Sequence, residues 1–125
     1  MFISAKEVRQ RLKGIWPNLK NIWLFDKQYE LPTKDQIEDF IDGHYFDAPV
    51  HADCDDYALQ LHAYVKRKRP QWAFGEATGK KIRDIKAVHS LNIAITETKV
   101  YLIEPQLEGL WLADSKLDDI FFVKM

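Results

Sequence analysis

Apolar residues recur at helical spacing in two segments of the first 43 residues, and each segment carries helix-start and helix-stop signals. Ser4 opens an S-x-x-E capping box, and Gly14 and Pro17 end the apolar pattern that follows it. Thr33 opens a T-x-x-Q capping box, and Gly43 follows its last apolar position. These segments predict two amphipathic helices, separated by an apolar stretch, NIWLFDKQYEL, that favours an extended conformation. HYFDAPVHA, which follows the second helix, is predicted to be a loop because its proline opposes regular helix.

A third helix is predicted within residues 51–70, HADCDDYALQLHAYVKRKRP. Asp53 is a natural N-cap, Asp55 and Asp56 fall in the first turn, and Pro70 stops the helix behind a basic run that suits the negative end of the dipole. Cys54 lies at the start of this helix. It shares the inward face with the stripe Tyr57, Ala58, Leu61, Tyr64 and Val65.

The second half of the chain changes to a period of two, which predicts β-strands. Four segments carry the pattern: QWAFGEA, VHSLNIAI, VYLIEPQ and DDIFFVK. The second and third are separated by the short polar stretch TETK, so they predict an antiparallel hairpin. Both faces of this hairpin are largely apolar, which favours a central place in the sheet. Helices first and strands afterwards predict an α+β fold, with N-terminal helices packed on a C-terminal antiparallel sheet.

Composition favours one compact domain, residues 1–125, with a single core. The chain has 125 residues, 46% of them hydrophobic, and a net charge of −1 that gives no overall attraction to nucleic acid. Its one cysteine excludes an intramolecular disulfide and suits a reducing compartment. No apolar run approaches the roughly 20 residues of a membrane span. We therefore expect a soluble, cytoplasmic protein that binds neither nucleic acid nor membranes.

The hairpin brings a histidine and a carboxylate to one face of the sheet. If Ile95 pairs with Val100, His89 lies diagonal to Glu104; a register two residues shorter puts the two directly opposite. Either arrangement allows a hydrogen bond between them. A slip of one residue would send them to opposite faces.

A cysteine nucleophile needs a base in contact with it and a third group that orients the base. Cys54 at a helix start, His89 on one strand and Glu104 on the next supply these three groups if the helix packs against the sheet. Gln106 is a candidate for lining the same site. Asn92 faces away from His89 on the strand and is interpreted as structural.

The residues around this trio resemble a known family. DCDDYAL, HSLNIAI and VYLIEPQ are similar, in order and spacing, to the papain-like cysteine peptidase domain at the C-terminus of a fungal ricin-type agglutinin, and to stand-alone domains of bacteria and bacteriophages. The resemblance runs from Ala52 to Gln106. It implies a papain-like fold and a small cysteine hydrolase, a peptidase or amidase, that acts on a peptide or protein substrate.

The resemblance also implies a role for each member of the trio. The family's cysteine is the nucleophile, its histidine is the base and the glutamate of its EP dipeptide orients the histidine; these map onto Cys54, His89 and Glu104. Papain-like enzymes usually place a glutamine shortly before the nucleophile to complete the oxyanion hole, and FDAPVHAD contains none. The second oxyanion donor therefore stays open between His51 and a backbone N–H group. The N-terminal half has no sugar-binding repeats, so no lectin activity is expected.

The aspartates around Cys54 have two interpretations. Asp53, Asp55 and Asp56 either cap the helix and complement its dipole or, together with Asp47, bind a hard cation. The family domain is calcium-dependent, so the resemblance implies a Ca²⁺ site here. A bound cation would neutralise the carboxylates and let the helix N-terminus favour the Cys54 thiolate. The cofactor prediction is therefore either none or Ca²⁺.

Two other function classes remain open at this point. A transglutaminase-like acyl transferase uses the same Cys–His chemistry. A non-catalytic binding or structural protein, including one derived from a phage, would keep the papain-like fold without turnover; the missing glutamine and the short chain favour that alternative.

Overall fold

The computed structural model describes residues 1–43, 51–107 and 109–125. In chain order the elements are β1 (Phe2–Ser4), α1 (Ala5–Ile15), β2 (Asn21–Trp23), β3 (Gln28–Glu30), α2 (Lys34–Asp42), α3 (Cys54–Lys68), β4 (Phe74–Ile82), β5 (His89–Ile95), β6 (Val100–Glu104), β7 (Gly109–Leu112) and β8 (Asp118–Lys124). The fold is α+β, as predicted. Among the helices that the structure describes, none is long and apolar enough to cross a membrane.

The main sheet has six strands in the order β2-β8-β4-β5-β6-β7. Its neighbours are antiparallel except for β2 and β8, which run parallel. The hairpin strands β5 and β6 are both internal, which confirms their predicted central place. A separate two-stranded sheet joins β1 to β3.

The main sheet is covered on both faces, which explains why its central strands are apolar on both sides. One face carries Ala77, Leu91 and Ile93, which pack in a core with Val8 and Leu12 of α1. The other face packs against α2 and α3 in a second core made of Ile37, Ile41, Leu61, Val65, Trp72, Phe74, Ala94 and Ile103. The result is three layers, with the sheet in the middle.

The predicted helix starts are confirmed by their caps. The Ser4 hydroxyl accepts a hydrogen bond from the Glu7 N–H at 3.1 Å. Both reciprocal bonds of the predicted box at Thr33 and Gln36 are present, at 2.9 and 3.1 Å. Asp53 is the N-cap of α3. Most of the predicted loop at 44–52, with Asp47, lies outside the described residues.

The predicted order of helices before strands is wrong for three short strands. β1, β2 and β3 all precede α2, and β7 follows the predicted hairpin. Each has only three or four residues, too few to show a period of two. Their pairing is set by backbone groups far along the chain, as in the parallel contact of Ile22 with Val123. The local pattern therefore does not predict their partners, although the stretch predicted to be extended contains β2 and β3.

Gly75 on β4 provides a test of the close packing between β4 and β8. A Cβ atom at Gly75 would collide with the carbonyl oxygen of Lys124, a backbone atom that cannot turn away. We expect Gly75→Ala to lower the free energy of unfolding by about 1–3 kcal/mol through overpacking. Urea denaturation measures this change.

Gly14→Ala is the matched control. Gly14 lies in α1, and a Cβ there would meet nothing within 4 Å. We expect it to raise stability by up to about 1 kcal/mol, because alanine favours helix over glycine. Equal effects of the two substitutions would contradict the packing argument.

Candidate active site

His89 and Glu104 form a direct hydrogen bond across the central hairpin. Ile95 pairs with Val100 and Asn92 with Ile103, so the first of the two predicted registers is confirmed and the shorter one is wrong. His89 Nε2 lies 2.5 Å from Glu104 Oε2. Because an ionised carboxylate can only accept, Nε2–H is the donor, and a neutral His89 then carries an unprotonated Nδ1.

Glu104 is a buried carboxylate with a partner on each oxygen. The residue is only 2% exposed. Oε2 accepts from His89, and Oε1 accepts from the backbone N–H of Gln106 at 3.3 Å. These bonds compensate for the loss of water around the charge. Gln106 therefore supports the site through its backbone, whereas its side chain is exposed.

Cys54 is the first residue of α3, and its sulfur contacts the strand that carries His89. The backbone N–H of Ser90 donates to Sγ at 3.4 Å. The paired residues of β5 and β6 end at Asn92 and Ile103, so Ser90 lies beyond that ladder. Backbone N–H groups lie in the plane of a sheet. The Cys54 sulfur therefore lies near the plane of the main sheet, at the end of β5 that carries His89.

The predicted trio is thus gathered at one end of the hairpin. Cys54 lies beside the peptide bond that joins His89 to Ser90, and His89 is bonded to Glu104. Cys54 is partly buried, as its place on the inward helix face predicts. Residue His51, just before α3, has a φ of 75°, a left-handed conformation that strains a non-glycine residue.

The three aspartates at the start of α3 also lie together. Asp53, Asp55 and Asp56 are exposed, and one oxygen from each lies within 4.8 Å of the others. The Asp56 carboxylate accepts from the Asp53 N–H at 3.0 Å. Side-chain hydrogen bonding with Asp55 and then with Asp56, with a smaller contribution from their negative charges, raises the pKa of Asp53 to about 6. Such a crowded set of oxygens is the kind that a hard cation prefers.

The structure contains a second histidine–carboxylate pair, His62 and Glu76, which the sequence pattern did not predict. His62 Nδ1 lies 2.6 Å from Glu76 Oε2, and Lys124 Nζ lies 3.3 Å from the same oxygen. Burial raises the pKa of Glu76, but the bond to His62 and the nearby Lys124 outweigh it, so the net shift is downward. The available signal was that His62 falls in the inward stripe of α3, between Leu61 and Val65.

Comparison with known proteins supports the fold. No family model matches the chain, and no curated protein matches it. A solved structure named "PSL1a-E64 complex" matches with a TM-score of 0.74 and 19% identity. The match covers 99% of this chain and 51% of the other, so this chain spans about half of that protein's length. At this identity the likeness shows a shared fold alone.

The raised pKa of Asp53 generates a test of the aspartate cluster. Between its usual value of 3.8 and about 6, the folded state binds the extra proton more tightly, so the cluster weakens stability as pH rises through that range. A cation that replaces the proton should therefore act above pH 6. We expect Ca²⁺ to raise the Tm clearly at pH 7.5 and far less at pH 5, as measured by differential scanning calorimetry.

The variant Asp55→Asn should remove most of this calcium effect. Asp35→Asn is the control, because Asp35 occupies the first turn of α2 without being part of the acidic cluster. A Tm that is the same in Ca²⁺ and in chelator at both pH values would contradict cation binding here.

Proposed function

We propose that the chain is a small cysteine hydrolase, a peptidase or amidase, in which Cys54 is the nucleophile, His89 the base and Glu104 the group that orients it. The observation that carries the proposal is a pair of contacts at one end of β5, one between Glu104 and His89 and the other between the N–H of the adjoining Ser90 and the Cys54 sulfur. This follows the general arrangement of nucleophile, base and orienting group. The substrate class that fits is a peptide or protein.

Glu104 sets the protonation state that a base requires. Its carboxylate holds the proton of His89 on Nε2, 2.5 Å away, and leaves the Nδ1 lone pair for the thiol of Cys54. When Nδ1 takes the thiol proton, the imidazolium stays paired with a buried negative charge. The ion pair of thiolate and imidazolium is thereby stabilised.

Catalysis would proceed in two halves. The Cys54 thiolate attacks the substrate carbonyl carbon, the resulting oxyanion collapses, and the C–N bond breaks as His89 protonates the leaving amine. Water then attacks the thioester carbonyl while His89 accepts its proton, which releases the carboxylic acid and regenerates the thiol. If an amine replaces that water, the same residues perform acyl transfer.

The start of α3 supplies the electrostatic part of the site. Cys54 is the first helical residue, so its N–H belongs to the group that no helix carbonyl can satisfy. That N–H and the positive end of the helix dipole favour both a thiolate and a developing oxyanion. A cation held by Asp53, Asp55 and Asp56 would neutralise the carboxylates that oppose this effect.

The structural neighbour is consistent with this chemistry. E64 is a cysteine protease inhibitor, so the solved complex is that of a protein which binds such a compound. Together with the motifs around Cys54, His89 and Glu104, this supports placing the chain with the papain-like domains that its sequence resembles. The support is independent of the hydrogen-bond geometry.

Alkylation of Cys54 by iodoacetamide tests the Cys–His pair directly, because the chain has a single cysteine. An ordinary thiol reaches half its maximal rate near pH 8.5. We expect rapid alkylation of the wild type at pH 6 and a drop of at least about tenfold in His89→Ala. Mass spectrometry of the labelled protein gives the rates.

Glu104→Gln should also slow alkylation at pH 6, because the amide cannot balance the imidazolium charge. Glu97→Gln is the matched control, since Glu97 is exposed in the turn of the same hairpin. An alkylation profile like that of a free thiol, unchanged by His89→Ala, would reject the hydrolase and favour a non-catalytic binding protein.

Turnover provides the second test. We expect the wild type to hydrolyse fluorescein-labelled casein and Cys54→Ala to show no activity, with an unchanged far-UV circular dichroism spectrum. Activity that persists in Cys54→Ala would reject Cys54 as the nucleophile.

A further inference from the structure

The contact between α3 and the sheet contains a row of polar side chains in an otherwise apolar core. Glu76 and Thr78 on β4 pair with Asn92 and Ser90 on β5. The residues that alternate with them along the strands, such as Leu91 on β5, belong to the core on the opposite face. These four polar side chains therefore point towards α3, because side chains alternate along a strand.

Asn92 joins three elements through one amide group. Its Nδ2 donates to the carbonyl oxygen of Ala58 in α3 at 2.8 Å and to that of Gly75 in β4 at 3.0 Å. Since both partners are acceptors, they fix which end of the amide carries the nitrogen. Asn92 is fully buried, with no exposed surface.

Burying the Asn92 amide costs folding free energy, and the packing around it does not explain why an amide occupies this position. Among the described residues, Asn92 Oδ1 is buried without a hydrogen-bond partner. A buried acceptor left in this way weakens folding, and a leucine of similar shape would avoid the loss. Buried polar atoms without a partner are found mainly at functional or strained sites.

The position of Asn92 connects the two reactive side chains. Ala58 lies one helical turn after Cys54, and Asn92 lies three residues after His89 on β5. The apolar contacts between α3 and the sheet are non-directional, so they do not by themselves fix where the helix sits along its axis. The hydrogen bond from Asn92 to the Ala58 carbonyl does so next to Cys54, whereas the bond of His62 to Glu76 joins α3 to β4 one turn further along the helix.

We infer that Asn92 is a positioning residue that sets the distance between the Cys54 sulfur and the His89 imidazole by holding α3 in register with β5. The inference rests on the hydrolase function proposed above. A displacement of about 1 Å at a reacting pair is enough to cost about a hundredfold in rate.

Asn92→Leu tests the inference because it removes both hydrogen bonds and the orphaned acceptor while keeping the volume. We expect the pH midpoint of Cys54 alkylation by iodoacetamide to rise by about one unit, so that the rate at pH 6 falls about tenfold. Asn92→Thr, whose hydroxyl can donate to only one of the two carbonyls, should give a smaller rise. It also carries the test if Asn92→Leu does not fold.

Ile93→Val is the control for general destabilisation. Ile93 is the next residue of β5, is fully buried and faces the other core. We expect this variant to lower the Tm but to leave the alkylation profile of the wild type unchanged. Asn92 variants that affect alkylation no more than Ile93→Val does would overturn the inference.

The wild-type profile separates this inference from the proposed function. A midpoint near 8.5 in the wild type would reject the Cys–His pair itself, and the role of Asn92 with it. A low midpoint in the wild type that stays low in Asn92→Leu and Asn92→Thr would reject only the positioning role.

Discussion

The site depends on a buried negative charge that has to be paired. Glu104 is 2% exposed and sits on an internal strand between two hydrophobic cores. In that environment a carboxylate without partners would be strongly destabilising. Its bond to His89 is possible only in a register that keeps both side chains on one face of the sheet. A slip of one residue would turn Glu104 into the core on the other face, where it would lose this partner. The core and the site therefore select the same register.

The described part of the chain contains two histidine–carboxylate pairs, and their surroundings differ. His62 is held by Glu76 and lies between α3 and the sheet, where its Nε2 is buried without a partner among the described residues. This pair fastens a helix to a sheet. His89 is held by Glu104 at the end of β5, and the backbone N–H of the next residue, Ser90, contacts the sulfur of Cys54. This second pair is the one to which the proposed function assigns the role of base and orienting group.

Opposing electrostatic effects meet at the first turn of α3. The helix N-terminus favours a thiolate at Cys54, whereas the three neighbouring carboxylates oppose it. Hydrogen bonding with Asp55 and Asp56, and to a smaller extent their negative charges, raise the pKa of Asp53 to about 6. Reactivity of the thiol is thereby linked to whatever neutralises these carboxylates.

The sequence by itself determined the helix caps and the shared face of His89 and Glu104, because each depends on residues close together in the chain or on the period of a strand. It left two hairpin registers open, and the structure decided between them. The sequence also indicated that Cys54 faces inward. Only the tertiary structure decided that the Cys54 sulfur meets the Ser90 N–H, that His62 pairs with Glu76 and that Asn92 holds α3. Those contacts depend on how a whole helix docks on a sheet, and docking is set by the summed packing of many side chains from distant segments.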